Sequence, residues 1–107
     1  MPVLAAIFAL AAGIAGARAI TAADTGKTFR IARGDTIQLR LGAHRVWKEP
    51  VVGSAAVKLT PVYYFKYPGF QEWTVRAIRT GRATISAFGH RTGSPTRRFR
   101  VTLIVTP

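Results

Sequence analysis

The feature that most constrains the fold is the alternation of apolar and polar side chains through residues 73–88, which read W-T-V-R-A-I-R-T-G-R-A-T-I-S-A-F. The apolar positions are Trp73, Val75, Ala77, Ala83, Ile85 and Ala87. A period of two is typical of β-strands, and the intervening Thr80-Gly81 supplies a turn. Two strands alone bury too little apolar surface to be stable in water, so the rest of the chain must supply further strands and a second layer.

The same period recurs along most of the chain. It predicts five more strands, over 28–32, 36–41, 46–49, 56–62 and 98–105, whereas residues 20–27 show no period and are expected to form a tail or an irregular edge. Seven short strands about ten residues apart are the pattern of a sandwich. We therefore expect an all-β, immunoglobulin-like antiparallel β-sandwich, with a small open barrel as the alternative. In a sandwich the link 78–81 crosses between sheets; otherwise it closes a hairpin.

An export signal is expected at the N-terminus. Residues 3–17 are uniformly small or apolar, and Ala17-Arg18-Ala19 has the small-x-small form that signal peptidase accepts. The run is shorter than the ~20 residues of a membrane-spanning helix, which is the alternative reading. We expect residues 1–19 to be a secretory signal peptide and residues 20–107 to be one domain, secreted or periplasmic, with no transmembrane anchor in the mature chain.

Charge is the outstanding compositional property. The 107 residues include 16 Lys and Arg but only 4 Asp and Glu, for a net charge of +12. Such a balance favours anionic partners, among which export argues against nucleic acid and leaves an anionic envelope polymer. The outward strand positions expected to form an Arg-rich sheet face are Arg30, Arg40, Arg76, Arg82, Arg98 and Arg100. A solvated face without a partner is the alternative.

The inventory of reactive side chains argues against an enzyme. The carboxylates are Asp24, Asp35, Glu49 and Glu72, in a tail, a turn and two separate strands, so they suggest no acid and base pair. There is no cysteine, which excludes thiol catalysis and disulfides. Two histidines are too few for a zinc site. We expect a non-catalytic protein with no cofactor and no metal.

Three of the connections are expected to meet at one end of the domain. If successive strands run antiparallel, the connections 42–45, 63–70 and 89–97 lie at one end, and the tight glycine turns near Gly34, Gly53 and Gly81 lie at the other. Binding residues concentrate on loops held by a rigid scaffold. The predicted partner-binding residues are His44, Arg45, Tyr63, Tyr64, Phe65, Tyr67, His90 and Arg91.

The aromatic run 63–70 is the most informative of these loops. Residues 63–70 carry five of the eleven aromatic side chains, together with Pro68-Gly69 as a turn. One alternative is that Tyr63 and Phe65 face the core, as side chains at the end of a strand commonly do. Five rings exceed what one short strand end buries, however, and aromatic residues are common anchors of binding surfaces.

Over residues 26–105 the sequence resembles the chagasin-like inhibitors of papain-type cysteine proteases. The resemblance lies in G-K-T-F-R-I-A-R-G-D-T-I-Q-L-R-L, a loop ending in Trp47, F-Q-E-W-T-V-R-A-I-R-T-G-R-A-T-I-S-A and a closing R-R-F-R-V-T-L-I-V. It implies an immunoglobulin-like sandwich that blocks a protease with three loops at one end. These are the same three connections that strand parity brings together.

The loops themselves depart from the family pattern. The family's Asn-Pro-Thr-Thr-Gly run is replaced here by Gly42-Ala43-His44-Arg45. Of the family's Arg-Pro-Trp, only the arginine has a counterpart in this chain, which is Arg91. The family's glycine-rich loop is replaced by the aromatic run 63–70. The sequence therefore predicts a divergent chagasin-like domain whose partner is a protein, with a papain-type cysteine protease as the partner that the resemblance implies. A basic structural protein bound to anionic polymer is the alternative.

Overall fold

The structure is a computed structural model and describes residues 19–42 and 44–107. Nearly all of this part is β-structure, with one short 3₁₀ turn at Ala22–Asp24. The nine strands are β1 (Ala19–Thr21), β2 (Thr28–Ala32), β3 (Thr36–Gly42), β4 (Val46–Trp47), β5 (Val51–Val52), β6 (Val57–Val62), β7 (Phe70–Ala77), β8 (Gly81–His90) and β9 (Arg97–Thr106).

The strands form two sheets packed face to face. Sheet A has the order β1-β3-β7-β6, and sheet B has the order β2-β9-β8, with both β4 and β5 on the far side of β8. β1 joins β3 and β2 joins β9 in parallel, while the other pairings are antiparallel. This is the expected immunoglobulin-like sandwich, with parallel pairings where the N-terminal strands join the sheets.

The core lies between the inner faces of the two sheets. Leu39 and Val75 from sheet A and Ile85 and Leu103 from sheet B are fully buried, as the period of two predicts. Trp47 meets Phe99 edge to face, with ring centroids 6.5 Å apart and planes at 82°. Edge-to-face contact is a favourable aromatic arrangement. With no cysteine in the chain, this packing holds the sandwich together.

All seven predicted strands are present, and two short ones are added. The tail over residues 20–27 contributes β1 and the 3₁₀ turn. The third predicted strand ends at Trp47 instead of at residue 49, and β5 resumes pairing with β8 after the buried Pro50. Proline lacks the N–H that a ladder needs, which explains the interruption.

The link after β7 crosses between the sheets, because β7 belongs to sheet A and β8 to sheet B. The hairpin alternative for residues 73–88 is therefore wrong. The expected signal peptide falls almost wholly on residues 1–18, which lie outside the described residues. Within the described part, no helix is long and apolar enough to cross a membrane.

The tight turns meet at one end of the sandwich through backbone hydrogen bonds. The Gly34 N–H donates to the Ala77 carbonyl over 2.8 Å, and the Ala77 N–H donates to the Asp35 carbonyl over 3.0 Å. Ile78 donates to the Ala56 carbonyl over 2.9 Å. Gly34 has φ +97°, a conformation that favours glycine. The three longer connections consequently lie at the opposite end.

The prediction that the outward arginines form one sheet face is wrong, because they lie on two faces. Arg40 and Arg76 lie on β3 and β7 of sheet A, whereas the others lie on β2, β8 and β9 of sheet B. The sandwich has two outer faces, and period-two alternation cannot tell which face an outward residue occupies. The Arg-rich face is therefore that of sheet B, with Arg30, Arg82, Arg98 and Arg100.

Candidate functional site

Residues 44–45 (the first connection), 63–69 (the second) and 91–96 (the third) lie together at one end of the sandwich, called here the loop end. Gly42 pairs with Phe70 at the top of sheet A, and Val46 pairs with His90 at the top of sheet B. These pairings place all eight predicted binding residues on the connections or directly beside them. The geometric expectation from strand parity is met, although contact with a partner is a separate question.

Trp47 joins the two sheets directly beneath the loop end. Its main-chain N–H donates to Oε1 of Gln71 over 2.8 Å, and Nε2 of Gln71 donates back to the Trp47 carbonyl over 3.1 Å. The indole Nε1 donates to the Gly42 carbonyl over 3.0 Å. The Gln71 side chain thus replaces a missing strand partner for β4 and fixes the base of the first connection.

Gly89 allows this tryptophan to pack closely against β8. A Cβ built at Gly89 would lie 2.9 Å from three carbons of the Trp47 ring. Contact at this distance would require the indole to move, and the indole is held on both sides by Gly42 and Phe99. The absence of a side chain at position 89 is therefore a packing requirement.

Arg45 bridges the first and third connections. Its Nη1 donates to the Pro95 carbonyl over 2.8 Å and approaches the Gly89 carbonyl at 3.4 Å. The third connection is also held by its own turn, in which the Ser94 N–H donates to the Arg91 carbonyl over 3.0 Å. Arg45 therefore has a structural role in holding two loops together, whereas the Arg91 side chain is exposed.

The aromatic loop, residues 63–69, presents three rings to solvent. Tyr63 is 88% exposed, Phe65 is fully exposed and Tyr67 is 66% exposed. The structure thereby rules out the ordinary alternative that Tyr63 and Phe65 face the core. Exposed apolar residues grouped in one loop are unusual for a surface and typical of interaction sites.

Tyr64 anchors this loop to sheet A. Its ring meets the Phe70 ring edge to face, with centroids 6.1 Å apart. The guanidinium of Arg40, on the neighbouring strand β3, lies 5.0 Å from the centroid of the Phe70 ring. The Tyr64 hydroxyl donates to Oε1 of Glu72. Tyr64 thus lies against the outer face of sheet A with 44% of its surface exposed, and its contacts there tie the loop to the sheet.

Glu72 is the centre of this anchor. It is only 5% exposed although it occupies an outward position of β7, because Tyr64, Gln38 and Arg40 cover it. Arg40 Nε lies 3.2 Å from Oε1, and Gln38 Nε2 donates to Oε2. Each carboxylate oxygen has a donor, so the buried charge is compensated.

These contacts change the titration of both partners. Burial raises the pKa of Glu72, but hydrogen bonds from Tyr64 and Gln38 and the charge of Arg40 outweigh it, so its pKa lies below the usual value. The hydrogen bond to Glu72 raises the pKa of Tyr64. Near neutral pH the pair is therefore a carboxylate and a phenol, the combination that forms the bond.

A groove of about 410 Å³ opens beside the aromatic loop. It runs between the loop and the segment that links β4 and β5, and its walls include Glu49, Pro61, Tyr63, Tyr67 and Trp73. Its walls are largely aromatic, and Glu49 is the exposed carboxylate among them.

The two histidines are not part of a candidate metal site: the described part of the chain contains no group of three or more His, Cys, Asp or Glu side chains suited to a metal ion. His90 Nδ1 contacts the Thr96 hydroxyl over 3.1 Å, and His44 is exposed. His44 and His90 therefore remain predicted surface contacts and nothing more.

Sequence reasoning missed the residues that hold the site: Gln38, Arg40, Gln71 and Glu72. From alternation alone, Arg40 is predicted to belong to a charged sheet face and Glu72 to be an isolated carboxylate on a strand. The available signal was Glu72 at an outward position eight residues after Tyr64, close enough for a loop that folds back. Alternation alone assigns such a carboxylate to solvent.

Comparison with known proteins supports the fold. The crystal structure of the cysteine protease inhibitor EhICP2 from Entamoeba histolytica superposes with a TM-score of 0.65 at 16% identity, covering 82% of this chain and 93% of that one. The solution structure of amebosin superposes with a TM-score of 0.58 at 21% identity, covering 82% of this chain and 96% of that one. The sequence matches no protein-family model, and a search of curated proteins gave no match.

Proposed function

We propose that this chain, which has a divergent chagasin-like fold, is a non-catalytic binding domain that acts outside the cytoplasm. It occupies the cleft of a papain-type cysteine protease with its loop end. The aromatic loop enters the cleft, and the connections around Arg45 and Arg91 contact the rims. The fold likeness to a protease inhibitor supports the partner class, and the predicted signal supports the compartment.

The observation that carries this proposal is an exposed aromatic loop on a rigid base. Phe65 and its neighbours Tyr63 and Tyr67 are exposed, while Tyr64 and Glu72 hold the loop from below. A binding loop that is already ordered loses less conformational entropy on association. Exposed aromatic rings held in this way are also the residues that most often dominate binding energy.

Because this chain lacks the family's loop sequences, it must contact a protease through different side chains. Where the family uses threonine, proline and tryptophan, this chain offers Tyr63, Phe65 and Tyr67 with His44 and Arg91 around them. The groove beside Glu49 adds a recess for a segment of the protease surface. The proposed contact is therefore more aromatic and more basic than the family pattern.

Inhibition of papain-type proteases by the purified protein tests the proposal. We expect dose-dependent, reversible inhibition, and Phe65→Ala should raise the inhibition constant by about tenfold or more because it removes a central apolar anchor. The matched control is Ile78→Ala, which removes an exposed apolar side chain at the opposite end. No inhibition across a panel of papain-type enzymes at micromolar concentration would refute the protease assignment.

A further inference from the structure

The outer face of sheet B is a second surface, separate from the loop end. Its outward positions follow from the strand register, in which Arg82 and Arg30 lie on either side of Ile104, and Arg100 lies beside Ser86. Arg98 lies beside Phe88, two residues further along β9 and β8 than the pair of Arg100 and Ser86. All four arginines are exposed. From the level of Arg98 to that of Ile104 the cationic face extends about 20 Å along β9.

No carboxylate lies on this face. Asp24 and Glu72 are buried, and the two exposed carboxylates, Asp35 and Glu49, lie in a turn and in the link between β4 and β5. The ion pairs among the described residues are Lys27 with Asp24 and Arg40 with Glu72, so the four arginines of sheet B have no ionic partner there. Like charges without counter-charges repel one another, and a polyanion would relieve that repulsion.

A row of hydroxyls separates Arg98 and Arg100 from the level of Arg82 and Arg30. Thr28, Thr102 and Thr84 are register partners across β2, β9 and β8, between the level of Arg100 and that of Arg82 and Arg30. Hydroxyl groups both donate and accept hydrogen bonds, and guanidinium groups bind carboxylates in a bidentate way. The face therefore alternates groups that suit carboxylates with groups that suit sugar hydroxyls.

Two other polyanions fit this face less well. A bilayer partner requires a continuous group of apolar side chains that reaches the acyl region. The exposed Val51 and Phe88 lie on the β5 and β8 side of this face. Thr84 and Thr102 lie at its centre. Single-stranded nucleic acid requires open aromatic faces for stacking. On the outer face of β8 and β9 the aromatic ring is Phe88, and the guanidinium of Arg98 lies over it at 5.9 Å from its centroid.

We propose that the outer face of sheet B binds a carboxylate-bearing polysaccharide, with the chain extended along β9. Arg82, Arg98, Arg100 and Arg30 pair with its carboxylates, and the threonine row contacts its sugar hydroxyls. This surface faces away from the sandwich core and shares no residue with the proposed protease contact. It would hold the domain to an acidic matrix while leaving the loop end accessible.

The test measures binding of alginate oligomers, a polyuronate, to the purified protein by calorimetry. Arg82→Gln/Arg100→Gln removes two charges from the face, and Lys58→Gln/Arg76→Gln removes two charges from an exposed register pair on sheet A. We expect the first variant to bind about tenfold more weakly and with a shallower salt dependence, since fewer counterions are released. The control should stay within about twofold of the parent. Circular dichroism verifies that both variants are folded.

Three outcomes would overturn the proposal. They are absence of alginate binding at low salt, equal weakening in both variants, and tighter binding to single-stranded DNA or to anionic vesicles with the same dependence on Arg82 and Arg100. Protease inhibition by the Arg82→Gln/Arg100→Gln variant is measured in parallel. Because that readout depends on the loop end, failure of the polysaccharide surface and failure of the protease proposal are distinguishable.

Discussion

The hydroxyl of Tyr64 donates to the buried carboxylate of Glu72, and this bond ties an exposed aromatic loop to the outer face of sheet A. The order of the loop therefore depends on Glu72, which is buried beneath it. Arg40 and Gln38 hold the same carboxylate from β3. Removal of any of these groups should therefore weaken the contact between Glu72 and the loop and make the loop less ordered.

Removal of the Tyr64 hydroxyl should loosen the aromatic loop without unfolding the domain. Tyr64→Phe keeps the ring against Phe70 and removes the donor to Glu72. We expect faster amide exchange over residues 63–69, because the bond that fixes the loop is lost. Hydrogen exchange measured by mass spectrometry is the readout, with Tyr67→Phe as the control that removes an exposed hydroxyl. Similar exchange in Tyr64→Phe and the parent would contradict the anchoring role.

Glu72 should make the fold sensitive to acid. Its pKa is lowered in the folded protein, so its contribution to stability is fully present above the unfolded value of about 4.3 and is lost as the pH falls through the folded pKa. We expect Glu72→Gln to be less stable than the parent at pH 7 and to converge towards it below about pH 4. Chemical denaturation at a series of pH values checks this, and a constant difference between the two proteins at all pH values would rule it out.

A side chain at position 89 should destabilise the core beneath the loop end. Gly89→Ala places a Cβ 2.9 Å from the Trp47 ring, and overpacking of this kind costs about 1–3 kcal/mol in the free energy of unfolding. Gly42→Ala is the control, since a Cβ there meets nothing within 4 Å. Urea denaturation followed by tryptophan fluorescence gives both values. Equal stability of the two variants would show that Trp47 moves freely.

Arg45 should control the order of the third connection. Arg45→Ala removes the bond to the Pro95 carbonyl, 2.8 Å long in the parent. We expect increased amide exchange at Ser94 and its neighbours, whereas Arg91→Ala should leave it unchanged because the turn uses the main-chain carbonyl of Arg91. If both variants behaved alike, the bridge between the loops would be unimportant.

Local patterning was sufficient to predict the sandwich. Residues such as Leu39, Val75, Ile85 and Leu103 alternate with polar neighbours, and burying them on one face of each strand requires two sheets. Strand parity then brought the three long connections to one end. β5 was not predicted, and β1 was expected only as a tail or an irregular edge, because segments of two and three residues are too short to show a period.

The anchor and the charge distribution were decided by tertiary structure. Glu72 and Arg40 have outward positions in the pattern, and only the return of Tyr64 over sheet A buries the carboxylate. Similarly, Arg76 and Arg82 look alike in sequence but lie on opposite sheets. Alternation records whether a side chain points inward or outward along its own strand. Which outward residues share a face, and which are covered, depends on how the strands pair and how the loops fold back, and both are determined by contacts between residues distant in the chain.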